Sequence, residues 1–458
     1  MGNLNPRQLA FLGLKAVHRG AFADVALSRV MPKTLPDADR GLLTELLYGS
    51  IRRQRTLDAL IDQFAKKPAH RQPPDLRILL HLGLYQLRYL QQIPTAAAIF
   101  TTVELVKQNQ LAGLSGLVNG LLRQYARAAI CADPLQLPCD PLQRLGVLYS
   151  YPDWIVQVWY DQLGMEQTEQ LCQYCNQSPK IDIRINPLRS DDLRSVVDHR
   201  TAVQAQLAQV GVVSHPLPHL PQALRIQGKT GLIPQLPGFQ TGEWTVQEAS
   251  AQLVTHVLNP QPGSVTLDVC AAPGGKTTHI AELMQNQGQI WACDRTPSRL
   301  RKLQQNLHRL GISNVQIWTG DSRELPDHIP LADRVLVDAP CSGLGTLHRH
   351  PDARWRQTPE KVAELSTLQL ALLQTSAQWV KPRGHLLYAT CTLHPQENET
   401  VLHQFLENNP TWYLQPIPIA LAPLNSNSDQ GVIKLWPHQW NMDGFFIALL
   451  ANRTVQSY

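Results

Sequence analysis

Val265-Thr266-Leu267-Asp268-Val269-Cys270-Ala271-Ala272-Pro273-Gly274-Gly275-Lys276-Thr277 passes from an apolar segment through a paired glycine into a helix-forming stretch. A buried strand that turns so sharply into a helix reads as a βα unit of an α/β domain, the place where such domains hold a nucleotide-like cofactor. The two glycines let the backbone approach a ligand that any side chain would obstruct. Three spaced glycines of a dinucleotide fingerprint are absent. So are the four residues between the glycines of a phosphate loop, although Gly275-Lys276-Thr277 imitates its end. Alone, a glycine pair is an ordinary tight turn. Asp294, twenty positions after Gly274 at the end of the next strand, corroborates a ligand, because a carboxylate there can accept both hydroxyls of a ribose. Asp321 ends a third strand, in Thr319-Gly320-Asp321-Ser322, where it can meet an adenine edge or cap a helix.

Beyond Thr241 strand and helix alternate: strands at 265–270, 289–293, 315–318, 334–337 and 385–388, helices after Lys276, at 300–310 and at 359–380, and a closing strand at 445–450. Such alternation requires a parallel sheet covered by helices on both faces. Residues 1–130 show helical spacing with breaks at Pro32, Pro36, Pro68, Pro73, Pro74 and Pro94, which predicts an all-α bundle of six or seven helices. Pro134, Pro138 and Pro141 make 131–141 a linker. Residues 142–240 read as a small α+β module: a helix opening at Tyr151, an alternating half-buried strand at 181–186 and a helix from Leu193 to Val210. The fold class is therefore multidomain, with an α/β domain over 241–458.

At 458 residues the chain exceeds one ordinary core. Residues 1–130 carry 17 Lys and Arg against 8 Asp and Glu, so the leader is basic and the rest mildly acidic, within a net charge of +5. A docking module for a polyanion has this distribution, and so does a solvated helical surface. The densest basic stretch is Arg52, Arg53, Arg55, Lys66, Lys67 and Arg71. No apolar run is long enough to span a bilayer and no secretory signal opens the chain, so a cytoplasmic monomer without a membrane partner is expected. Eight cysteines in so long a chain are too sparse for a disulfide framework. Cys172 and Cys175 lack a second pair at zinc spacing, so they read as a helical surface pair and no metal is expected.

Two other cysteines carry chemistry. Cys341, in Asp338-Ala339-Pro340-Cys341-Ser342-Gly343, and Cys391, in Ala389-Thr390-Cys391-Thr392, each follow an apolar strand and emerge at one sheet edge beside the glycine loop. One such cysteine is usually an apolar filler. Two suit alkylation of a poor carbon nucleophile. A thiolate added to C6 of a pyrimidine turns C5 into an enamine-like centre that can attack a methyl donor. Asp338, bound to the ring nitrogen, would hold the neutralising proton. A base must then remove the C5 hydrogen. His348, Arg349, His350 and Arg354 follow the first thiol loop, and the two arginines are the better candidates for RNA phosphate.

Together these segments, with Glu397-Asn398-Glu399 after the second thiol, resemble the RNA cytosine-5 methyltransferases of the Sun/Nop family over residues 241–450. The leader looks like a NusB-type RNA-binding domain. The whole chain thus resembles members of that family that act on 16S ribosomal RNA. The resemblance implies a Rossmann-like methyltransferase domain, Cys391 as nucleophile and Cys341 as the group that releases product. It implies S-adenosylmethionine held by Cys270, Ala271, Ala272, Pro273, Gly274, Gly275, Lys276, Asp294, Asp321 and Asp338. Arg184 and Asn186, in Ile183-Arg184-Ile185-Asn186-Pro187, match a segment that helps wall the active site. With Arg349, Arg52 and Arg53 they are the expected contacts to RNA. Thr392 stands where the family usually has Ser. A transfer-RNA target, or a non-catalytic assembly factor on the same fold, is the rival reading.

Overall fold

A computed structural model describes residues 5–32, 34–189, 195–228, 230–418 and 430–453. In chain order the helices of the leader are α1 (Pro6–His18), α2 (Ala23–Val30), α3 (Asp37–Arg52), α4 (Gln54–Phe64), α5 (Pro74–Tyr89), α6 (Thr95–Gln108), α7 (Ser115–Ala128), α8 (Pro141–Tyr149) and α9 (Asp153–Tyr174). There follow β1 (Ile181–Ile185), α10 (Val196–Gln209), β2 (Val213–Pro216), β3 (Ala223–Gln227) and β4 (Trp244–Val246). The remainder is α11 (Ala249–Leu258), β5 (Val265–Asp268), α12 (Gly275–Leu283), β6 (Gln289–Asp294), α13 (Pro297–Leu310), β7 (Val315–Thr319) and β8 (Ala332–Asp338). Then come α14 (Ala353–Arg356), α15 (Pro359–Ala377), β9 (Val380–Thr390), α16 (Glu399–Asn408), β10 (Trp412–Leu414), β11 (Val432–Leu435), α17 (Pro437–Trp440) and β12 (Phe445–Asn452).

These form two compact units. The helical unit comprises Met1–Gln177 together with Leu347–Arg356. Its core joins residues such as Leu43, Leu46, Leu57, Leu79 and Leu122, all without exposure, at the helical spacing seen in the sequence. Helix α8 packs in this unit: the Thr56 hydroxyl donates to the Val147 carbonyl at 2.6 Å and the Arg55 amide to Ser150 Oγ at 2.9 Å. Segment 347–356 is anchored in the same unit. The Arg354 guanidinium donates to the carbonyls of Arg52, Ser150, Cys175 and Leu347 and lies 4.0 Å from the Tyr151 ring centroid.

The second unit comprises Ser178–Thr346 and Gln357–Tyr458 and contains two sheets. The smaller is antiparallel in the order β2-β3-β1-β4, with Val203 and Leu207 of α10 packed among Ile183, Ile185, Leu224 and Trp244. Helix α10 starts at a capping box formed by Ser195 and Asp198, and the predicted start at Leu193 lies outside the described residues. The larger sheet has the order β10-β12-β9-β8-β5-β6-β7, with β11 paired to β12. Strands β5 to β9 pair in parallel as predicted, whereas β12 runs antiparallel to β9. Alternate residues of single strands enter opposite cores. Leu336 and Leu387 face one, with residues of α11, α12 and α13; Val335, Val337 and Tyr388 face the other, with residues of α15 and α16. Both faces of the sheet are therefore covered. The chain enters the parallel sheet at β5, winds outward through β6 and β7, and returns to the other side of β5 with β8. Ligands bind beyond the carboxyl ends of strands at such a reversal.

Candidate active site

The carboxyl ends of β5 through β9 surround a cavity of about 270 Å³ whose lining includes Lys276, Asp294, Asp321, Asp338, Cys341 and Cys391. Register brings the two thiols together. Asp338, the last residue of β8, stands beside Ala389 of β9, and the Ala339 amide donates to the Ala389 carbonyl at 2.9 Å. Three residues past one strand and two past this pairing on the other, Cys341 Sγ and Cys391 Sγ lie 3.3 Å apart.

A positive charge stands next to them. Lys276, in the first turn of α12, places Nζ 2.6 Å from Asp338 Oδ2 and 5.1 Å from the Phe445 ring centroid. Burial favours neutral lysine, but Asp338 and then the Cys391 sulfur outweigh it, so the ammonium pKa is raised. The hydrogen bond to Cys391, reinforced by burial, pushes the Cys341 thiol well above the ordinary range. Either sulfur of the pair can donate to the other. Burial also drives Cys270 up, so this third thiol is inert.

The glycine turn packs closely against the next helix. Gly274 sits at φ +103°, and an added Cβ would collide with Leu303 of α13. Beneath the loop Asp268 accepts from Thr277 Oγ1 at 2.7 Å, and burial raises its carboxyl to about 7. Asp294 ends β6 almost buried, accepting the Ala272 amide at 3.2 Å and the Thr296 amide at 2.8 Å. Asp321 caps no helix. Its carboxylate takes the Arg323 guanidinium at 2.6 Å, and that hydrogen bond lowers its pKa to about 2, leaving a charged acceptor at the cavity.

The expected RNA contacts need correction. Strand β1 is expected to be half-buried and Arg184 to contact RNA, but four of its five residues are buried and Arg184 has no exposure. Its guanidinium pairs with Glu282 at 2.7 Å and donates to the Gly275 carbonyl at 2.9 Å, so it braces the cofactor loop from beneath. Asn186 is equally buried, donating to the carbonyls of Gly242 and Leu310. Arg52 is buried and donates to the His348 carbonyl at 3.2 Å, and Arg354 is wholly enclosed. Arg53 is half-buried, 4.8 Å from the Tyr89 ring centroid, and Arg349 is half-buried as well. Of the basic stretch in the leader, Lys66, Lys67 and Arg71 are the exposed members. Cys172 and Cys175, read as a surface pair, are fully buried. Among the described residues no cluster of His, Cys, Asp or Glu could hold a metal, and no helix is long and apolar enough to cross a membrane. Arg299 and Phe445 line the cavity without having been singled out in the sequence, and Glu397 was quoted there without a role.

Residues 255–451 match the family described as 16S rRNA methyltransferase RsmB/F, residues 4–127 the NusB family, and residues 151–232 the ferredoxin-like domain of RsmF/B-like methyltransferases. A Synechocystis protein named probable ribosomal RNA small subunit methyltransferase B is 49% identical over 98% of this chain and 99% of its own. The chain belongs to the RsmB/F family. The solved structure of PH0851 covers 98% of this chain and 99% of its own at 28% identity, with a TM-score of 0.81. NSun6 from Pyrococcus horikoshii, solved with SFG, shares the fold over 67% of this chain and all of its own, at 24% identity and a TM-score of 0.59. S-adenosylmethionine is the cofactor of this family, and the cavity suits it: Asp294 and Asp321 offer acceptors on its wall.

Proposed function

We propose that this chain methylates C5 of a cytosine in 16S ribosomal RNA, by way of a transient bond between Cys391 and C6 of the base. The observation that carries this reading is the pair of thiols 3.3 Å apart, in the cavity that also holds Asp294 and the Lys276–Asp338 pair. Neither a structural filler nor a metal site needs that arrangement.

Cys391 attacks C6 as the thiolate, with Lys276 and the Cys341 S–H favouring its negative charge. As the S–C6 bond forms, the C5=C6 electron pair moves into the ring and C5 becomes nucleophilic. Asp338 faces the ring nitrogen and relays to it a proton from the Lys276 ammonium bridged to it, which offsets the developing charge. S-adenosylmethionine supplies the methyl carbon as an electrophile on a positively charged sulfur. Once C5 carries both methyl and hydrogen, Cys341 takes that hydrogen as a proton after surrendering its own to solvent. The C–H electrons restore C5=C6, and Cys391 leaves as thiolate. A base attacked at C6 must present its face, so the target nucleotide is unpaired or flipped out of its helix. The exposed Lys66, Lys67 and Arg71 of the leader supply sequence-independent attraction for phosphate.

Bisulfite mapping tests this reading in cells lacking the gene and carrying wild type or Cys391→Ala. Wild type should restore one protected cytosine in 16S RNA. The variant should restore none, although S-adenosylmethionine still raises its melting temperature, since a ligand bound by the folded state alone stabilises it. A variant that restores the mark would end the proposal.

A further inference from the structure

Glu397 is a wholly buried carboxylate six residues beyond Cys391, in the short turn Pro395–Glu397. Its Oε1 accepts the Ser342 amide at 2.8 Å and Gln369 Nε2 at 2.9 Å. Its Oε2 accepts the Ser342 hydroxyl and, at 3.2 Å, the Thr392 hydroxyl. Ser342 and Thr392 directly follow the two cysteines, and their oxygens are 2.7 Å apart. Gln369 also donates to the carbonyl of Pro340, which directly precedes Cys341, at 2.9 Å. The Tyr388 hydroxyl fixes the Glu397 carbonyl to β9 at 2.6 Å. No cation is among these partners. Four donors converge on one carboxylate, and none of the residues that supply them has a cavity-lining atom except through the cysteines they flank.

We infer that Glu397 is a positioning residue that clamps the Cys341 loop to the Cys391 loop and sets the spacing and division of labour of the two thiols. The inference rests on the two-cysteine reading above. A buried acceptor with four donors costs far more to remove than an exposed one, because each donor is then left unpaired. The clamp joins, through side chains, segments about fifty residues apart that the main chain ties at Ala339–Ala389 and again where the Gly345 amide donates to the Cys391 carbonyl at 3.0 Å. The Glu397 charge adds to the Cys391 hydrogen bond and burial in raising the Cys341 thiol.

The test compares Glu397→Gln, Glu397→Ala and the double variant Ser342→Ala/Thr392→Val with wild type, Thr392→Ser and Cys391→Ala. The readouts are S-adenosylmethionine affinity, single-turnover methylation of 16S RNA, and iodoacetamide labelling at Cys341 and Cys391 by peptide mass. Glu397→Gln and the double variant should bind the cofactor within about threefold of wild type yet lose ~10²-fold in kcat, the scale of a reacting group displaced by about 1 Å. In Glu397→Gln, which removes the charge, labelling of Cys341 relative to Cys391 should rise about tenfold, equivalent to one pKa unit. Thr392→Ser, which keeps the hydroxyl, should stay near wild type. Should Glu397→Ala fail to fold, the other two variants decide. Folded variants with turnover near wild type and an unchanged labelling ratio would overturn the clamp while Cys391→Ala stays inactive. An active Cys391→Ala would overturn the two-cysteine reading itself.

Discussion

Two pairs of cysteines lie in this chain, and they behave in opposite ways. Cys172 and Cys175 are three residues apart, look like a motif, and are fully buried in the helical unit, where burial drives the Cys172 thiol far up. Cys341 and Cys391 are fifty residues apart, each just past an apolar strand, and meet at 3.3 Å at the edge of a cavity beside an ammonium group. Reactivity follows surroundings rather than spacing. A thiolate needs a nearby positive charge, a hydrogen-bond donor and access, and only the second pair has all three.

The comparison breaks most sharply at Lys276. Lys276→Met removes the cation facing Cys391 and Asp338, and a loss of ~10²- to 10³-fold in kcat is expected, read by single-turnover methylation with cofactor affinity measured alongside. Unchanged turnover would mean that Cys391 needs no help from charge.

Asp268 sharpens the role of burial next to the site. Its folded carboxyl lies at about 7 against an ordinary 3.8, because burial penalises the charge. The folded state therefore holds this proton more tightly than the unfolded one. The stability it contributes is complete below about pH 4 and is lost as pH rises toward 7. At about 1.4 kcal/mol per unit, the difference approaches about 4 kcal/mol at most. Asp268→Asn cannot ionise, so in denaturant titrations it should lose less stability than wild type between pH 4 and 8. Parallel profiles would remove burial as the cause.

The smallest effect is expected at the other pair. Cys172→Ala should leave methylation unchanged and cost about 1 to 2 kcal/mol of stability in the helical unit, the range for a small cavity. In native protein iodoacetamide should reach Cys341 and Cys391 well before Cys172 and Cys175. Early labelling of the buried pair would dissolve the contrast.

Much of this was legible in the sequence because its signals are local. An apolar strand, a glycine pair and a carboxylate at the next strand end placed the cofactor loop, and strand-end position alone set both thiols on one sheet edge. What stayed hidden depends on partners distant in sequence. Alternation in Ile181–Ile185 predicts a half-buried strand, and nothing local shows that Glu282 and Thr278 of α12 enclose Arg184. Arg52 and Arg354 read as basic surface, yet their bonds run across some three hundred residues of chain. The antiparallel pairing of β12 and the grouping of α8 with the leader were hidden for the same reason: neither direction nor docking leaves a periodic mark. Glu397 sits in a motif that was seen, but four convergent donors are visible only in three dimensions.

Ribosomal RNA transcribed with 5-fluorocytidine gives the most direct test of the covalent step, because fluorine at C5 cannot depart as a proton and the adduct persists. Incubated with wild-type protein and S-adenosylmethionine and mapped by peptide mass, the nucleotide should be found on the peptide containing Cys391, and Cys391→Ala should form no adduct. Attachment at Cys341 or any other residue, or methylation of unmodified RNA with no adduct trapped by the fluorinated form, would contradict the account.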